Sequence, residues 1–239
     1  MKTRFTSFDL KIIAMGTMAI DHMAAAWIYL YGYGADPVWS NVGIAMRLVG
    51  RVAFPLYAFL LVQGFLHTKN WASYLLRLLG FSVLSEIPFN LMASGKLFWP
   101  ETQNTLVLLA IGLLCLKGLD ACLEGDARLK NNLTAVLIMA GGMILAEVLR
   151  ADYGAFGLLF ILAMYWFRNC PKERMVWGAA ALVFSEGIIC GGAACAAFFF
   201  LNRYNGERGK YLGYFPYLFY PAHLLILYGA GVMIHGLHF

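Results

Sequence analysis

Residues 9–31 read DLKIIAMGTMAIDHMAAAWIYLY. As a helix this stretch is long enough to cross a hydrocarbon core about 30 Å thick, yet Asp21 and His22 stand side by side near its middle. It is longer than the apolar region of a cleavable signal peptide, so it reads as a retained first span.

Similar runs recur outward from it along the chain. Eight further spans are expected at 44–67, 71–94, 103–119, 131–150, 153–168, 173–187, 188–202 and 214–237. Apolar residues make up 61% of the sequence and charged residues 13%, about half the charge of a soluble domain. Segments of about ten residues with alternating polarity, the mark of an outer-membrane barrel, are absent. The expected architecture is all-α: a polytopic integral membrane bundle of about nine helices, in one domain over 1–239. The five cysteines form no Cys-x-x-Cys pair and read as small apolar fillers, so neither a disulfide nor a metal site is expected. The net charge of +5 lies in short loops and does not signal nucleic acid.

Charge sets the orientation. With nine spans and the N-terminus in the cytoplasm, the inner segments hold Lys2, Arg4, Lys11, Lys69, Lys117, Arg128, Lys130, Arg168, Lys172, Arg174, Arg203, Arg208 and Lys210, against Lys96 and Arg150 outside. That is the bias expected of cytoplasmic loops. Joining 173–187 to 188–202 as one helix would send Arg203, Arg208 and Lys210 outside. A break near Glu186-Gly187 or Gly191-Gly192 is therefore expected.

Ionisable groups inside a bilayer are costly and mark sites or pathways. Asp21 and His22 read as a buried acid and base, since an imidazole takes and returns a proton near neutral pH. The alternative is a structural hydrogen-bond pair. Lys11 precedes His22 by eleven residues, almost three helical turns, and shares its face about 16 Å away; the alternative for Lys11 is snorkelling to the interface. Arg47 and Arg51 share a face of the second span, before a kink expected at Pro55. Their expected carboxylate partners are Glu86, Glu147 and Asp152. Ser82, Glu86 and Asn90 form a polar stripe on the third span. Asn104 opens the fourth, either as a hydrogen-bond donor to a reacting carbonyl or as a helix cap. Tyr220 and His223 share a face of the last span. A bis-histidine haem on His22 and His223 would need both at one depth, which an expected offset of about 5 Å does not favour.

The motifs Leu10-Lys11-Ile12-Ile13-Ala14-Met15 and Met18-Ala19-Ile20-Asp21-His22 resemble the opening of the TraX family. So do Arg47-Leu48-Val49-Gly50-Arg51-Val52-Ala53-Phe54-Pro55-Leu56-Tyr57, Ser85-Glu86-Ile87-Pro88-Phe89-Asn90, Gln103-Asn104, Asp152-Tyr153-Gly154 and Phe219-Tyr220-Pro221-Ala222-His223. The resemblance covers nearly the whole chain. It implies a membrane acyltransferase of the kind that acetylates the N-terminus of F-type pilin, within a wider superfamily of transmembrane acyltransferases. Those relatives carry a first-helix histidine preceded, eleven residues earlier, by a polar residue; here Lys11 stands where they often have Arg or Asn.

The reaction so implied moves an acyl group from cytosolic acyl-CoA, expected to be acetyl-CoA, to an amine or hydroxyl of a pilin-like peptide or surface glycan across a bacterial inner membrane. The expected catalytic set is His22 as general base, Asp21 beside it, and Asn104, Arg51 or Tyr220 on the oxyanion. Lys11, Arg77, His223 and Tyr220 are expected towards CoA, and Arg47, Glu86 and Asp152 towards the acceptor. The rival class is a proton-coupled transporter, which would often show an internal repeat; none is visible.

Overall fold

The chain is described here by a computed structural model over residues 4–26, 36–123 and 128–235. The ends of the first and last expected spans, 27–31 and 236–237, fall outside the described residues, as do Lys2, His238 and the side chains of Arg128, Lys130 and His235. Among the described residues the regular structure is helical, with two isolated bridges, Phe5 to Tyr204 and Gln103 to Ala151. The helices are α1 (Ser7–Met23), α2 (Pro37–Gly50), α3 (Ala53–His67), α4 (Trp71–Ser94), α5 (Thr105–Leu123), α6 (Arg128–Val148), α7 (Gly154–Trp166), α8 (Pro171–Ala194), α9 (Ala197–Leu201) and α10 (Phe215–His235). Among the described residues five stretches are long and apolar enough to cross a membrane: Pro37–His67, Trp71–Ser94, Thr105–Cys122, Pro171–Ala194 and Phe215–Ile234.

Local chemistry fixes where the helices start. Thr6 caps α1 and exchanges bonds with Asp9: the Asp9 amide donates to the Thr6 hydroxyl at 3.3 Å, and the Thr6 amide to the Asp9 carboxylate at 2.8 Å. This is a capping box. The same end is tied to the segment before α10 by Phe5 N–H to Arg203 O at 2.9 Å and Ser7 N–H to Glu207 O at 2.8 Å. Asp36 caps α2 and Asn70 caps α4. Past His22, α1 widens into a π turn over 24–26, a geometry frequent at functional sites.

Two breaks shape the bundle. The second span starts at Pro37 rather than at 44, and its helix breaks at Arg51-Val52, ahead of the expected kink. Pro55 is the cause: a proline ring clashes with the carbonyl four residues back, which is that of Arg51. Pro55 itself sits in the first turn of α3, where a missing N–H is harmless. The second break lies at Gly187 inside α8, with φ 77° and ψ 172°, a region open essentially to glycine alone. A Cβ on Gly191 would strike the backbone of Leu182 and Val183. Residues nine apart in a straight helix are about 13 Å apart, so the chain doubles back after Gly187.

The interior is built on α3, α5 and α7, where Phe59, Leu61, Leu108, Leu113, Phe160 and Tyr165 are all but sealed from solvent. Large apolar side chains also cover the outside, among them Val136 and Leu137 on α6 and Val176 and Phe184 on α8. Lipid tolerates such a surface. Helix association then rests on close packing and on polar bonds between helices.

Candidate functional site

Polar side chains gather where α1, α2, α8 and α10 meet the α6–α7 connection. Arg51 stands at the α2–α3 break and reaches two carboxylates. Its Nη2 donates to Asp21 Oδ1 at 2.8 Å and its Nη1 to Glu186 Oε2 at 2.7 Å. Arg47 also donates to Asp21. Two arginines and two carboxylates thus form a cluster whose formal charges balance, with Asp21 and Arg51 buried at its centre, as charges taken out of water require. Gly50 lets the helices close on it, because a Cβ there would overlap the Asp21 side chain. Tyr153 supports the far side, with Arg51 lying 6.0 Å from its ring centroid and Phe54 stacked on it at 3.9 Å. Both Arg150 and Tyr153 have positive φ, 52° and 68°. Strain of this kind in non-glycine residues collects at functional sites.

The partners expected for the two arginines are therefore corrected. Glu86 accepts from Asn104 at 2.7 Å, and Glu147 accepts from the Ala155 amide at 2.7 Å. Asp152 accepts from the Thr105 hydroxyl at 2.7 Å. Burial pushes the carboxyl of Asp152, on the α6–α7 connection, up to about 6; the Thr105 hydroxyl and the Arg51 charge oppose the shift. Glu186, to which the sequence reading gave no role beyond marking a break, is the second carboxylate.

His22 turns away from Asp21 and towards α10. Its Nδ1 lies 2.7 Å from His223 Nε2, and His223 Nδ1 lies 2.7 Å from the carbonyl of Phe219. A carbonyl only accepts, so His223 Nδ1 carries a proton. In a neutral ring its Nε2 is then the acceptor, and His22 Nδ1–H is the donor. This leaves a lone pair on His22 Nε2, which has no hydrogen-bond partner among the described residues. The two imidazoles touch directly. An iron between them would need about 2 Å on each side, so this geometry does not fit a bis-histidine haem.

A cavity of about 690 Å³ opens at this cluster. Of the expected site residues, Asp21, His22, Arg47, Arg51, Asp152 and Tyr220 line it. A second cavity of about 640 Å³ lies towards the start of α1 and the end of α3, and holds Lys11, Arg77 and Arg208. Among the described residues no carboxylate pairs with these three cations. Tyr57, Leu106, Leu109 and Pro216 line both cavities. Lys11 and His22, on one face of α1 as expected, thus serve different cavities.

Other expected residues fall elsewhere. Asn104 Oδ1 accepts from the Leu106 amide at 3.2 Å and so caps α5, while its amide group donates to Ser82 O and Glu86. Both amide hydrogens are engaged, which leaves no donor for an oxyanion. Neither Asn104 nor Glu86 lines either of these two cavities. His223 is paired with His22 instead of facing the basic cavity, and Tyr220 stands beside the same pair, 6.2 Å from His22 between ring centroids.

An all-helical membrane protein with a histidine pair and an ion-pair cluster around a buried cavity is the class that this fold and site define. The chain belongs to the TraX family, since the model of the TraX protein matches it over residues 7–230. It is also 30% identical over 259 residues to a probable fimbrial assembly protein, FimC of serogroup H1, from Dichelobacter nodosus, with 96% of this chain and 97% of that protein covered. No solved structure matches.

Proposed function

We propose that the chain is a multi-pass acyltransferase of a bacterial inner membrane, moving an acyl group from cytosolic acyl-CoA to an extracytoplasmic amine or hydroxyl. Nine crossings with the N-terminus inside would put the basic cavity on the cytosolic side and the His22 cavity towards the far side. The observation that carries the reading is the pair of cavities meeting at one wall, with cations that meet no carboxylate among the described residues in the first and a histidine lone pair in the second. Lys11, Arg77 and Arg208 suit the phosphates of CoA by charge. The thioester would lie at the shared wall.

In the His22 cavity, an acceptor amine or hydroxyl attacks the thioester carbonyl while His22 Nε2 takes its proton. The carbonyl carbon gains a bond to the acceptor and loses its bond to sulfur. The thiolate leaves and recovers a proton from His22 as CoA thiol. His223 keeps His22 Nδ1–H in place throughout. Arg47, a third exposed in its side chain and making one ion pair, keeps donors free for the acceptor. The family name and the fimbrial relative support a pilin-like peptide as acceptor, with a surface glycan as the alternative.

A thermal shift by acetyl-CoA tests the class. An acyltransferase is stabilised by a ligand at saturating concentration, whereas a transporter of an unrelated solute shows no shift.

A further inference from the structure

We infer that Tyr57 is a further catalytic residue, its hydroxyl donating the hydrogen bond that holds the thioester oxygen as negative charge develops on it. The inference rests on the acyl-transfer reading above and adds to it a group that neither the sequence reading nor the family assigns.

Four residues line both cavities, and Leu106, Leu109 and Pro216 among them have apolar side chains. Tyr57 supplies the one polar side chain of that shared wall. Its hydroxyl is buried and lacks a hydrogen-bond partner among the described residues. A buried O–H without an acceptor destabilises a fold, and such groups call for an explanation. An acceptor delivered by a substrate gives one. A carbonyl passing from the basic cavity to His22 crosses this wall, where the Tyr57 hydroxyl is the available side-chain donor.

The alternatives are less suited. Both amide hydrogens of Asn104 are engaged. The guanidinium of Arg51 is held by Asp21, Glu186 and the Arg47 carbonyl. The Tyr220 hydroxyl is likewise buried without a hydrogen-bond partner among the described residues, but Tyr220 lines the His22 cavity alone and is not part of the wall that a thioester from the basic cavity would cross. Tyr57 stands one turn into α3, behind the Pro55 break, with its ring on a helix rather than a loop, as preorganised stabilisation of a transition state requires.

Tyr57→Phe tests this, because it deletes the oxygen and keeps the ring. Purified wild type, Tyr57→Phe and His22→Gln would each be given acetyl-CoA labelled in the acetyl group, with membranes of cells lacking the gene as the source of acceptor. The expected result is transfer by wild type, and transfer by Tyr57→Phe slowed about 10²–10³-fold in kcat with KM for acetyl-CoA within a factor of about two. The melting temperature of Tyr57→Phe should not fall, since no protein partner is lost. Equal kcat in wild type and Tyr57→Phe would overturn the inference and leave the acyl-transfer reading standing. A melting temperature lowered by several degrees would overturn it too, by revealing a structural bond. No transfer by wild type would overturn both.

Discussion

Arg51 Nη1 donates to Glu186 at 2.7 Å, and Glu186 is the residue immediately before the backbone break at Gly187. The break in α8 and the break between α2 and α3 are thereby joined through one guanidinium. Arg51→Leu strands Glu186 without a partner and takes one of two cations from Asp21. The expected loss is about 3–5 kcal/mol. Arg51→Leu with Glu186→Leu removes one charge of each sign and restores neutrality, so the double variant should lose less than the sum of the single ones. Melting of the four proteins in detergent measures the coupling.

Gly187→Ala places a Cβ on a backbone at φ 77°. Nothing stands within 4 Å of that Cβ, so the effect is conformational rather than steric. A loss of about 1–3 kcal/mol is expected, and a melting curve detects it. An unchanged melting temperature would show that the break does not depend on glycine.

In the proposed reaction His223 would act through His22. His223→Phe removes the acceptor for His22 Nδ1–H and frees the His22 tautomer. Acyl transfer should fall about 10²–10⁴-fold in kcat, with KM for acetyl-CoA unchanged. His223→Gln offers a side-chain carbonyl to the same N–H and should recover much of the rate. A rate in His223→Phe equal to wild type would dismiss the tautomer argument.

The basic cavity should give the opposite kinetic pattern. Lys11→Ala and Arg77→Ala should each raise KM for acetyl-CoA about tenfold and leave kcat alone, the behaviour of binding shared by ground and transition states. High salt should narrow the gap to wild type, because it screens the phosphate contacts. Titration of initial rates at two ionic strengths reads both effects.

The helical membrane class was legible from apolar run lengths, and the break beside Glu186 from loop charge. The kink before Pro55 was legible in kind but misplaced, because a proline disrupts the turn preceding it. The pairing of charges was not legible. Sequence spacing shows that Arg47 and Arg51 share a face, but which carboxylate meets them depends on how α1 and α8 pack, and that is set by contacts such as Gly50 against Asp21. Likewise, adjacency of Asp21 and His22 suggested a working pair. On a helix, neighbours point about 100° apart, and the two reach different partners, Arg51 and His223. Asn104 shows the reverse case: its cap reading was available from its place before α5, and the geometry favours it over the oxyanion role.

In the proposed reaction His22 Nε2 takes the acceptor's proton. The most direct measurement is mass spectrometry of surface peptides and glycans from cells carrying wild type or His22→Gln, with both proteins shown to be equally abundant and equally stable. A gain of one acyl group is expected with wild type and none with His22→Gln. Equal acylation in the two strains would contradict it.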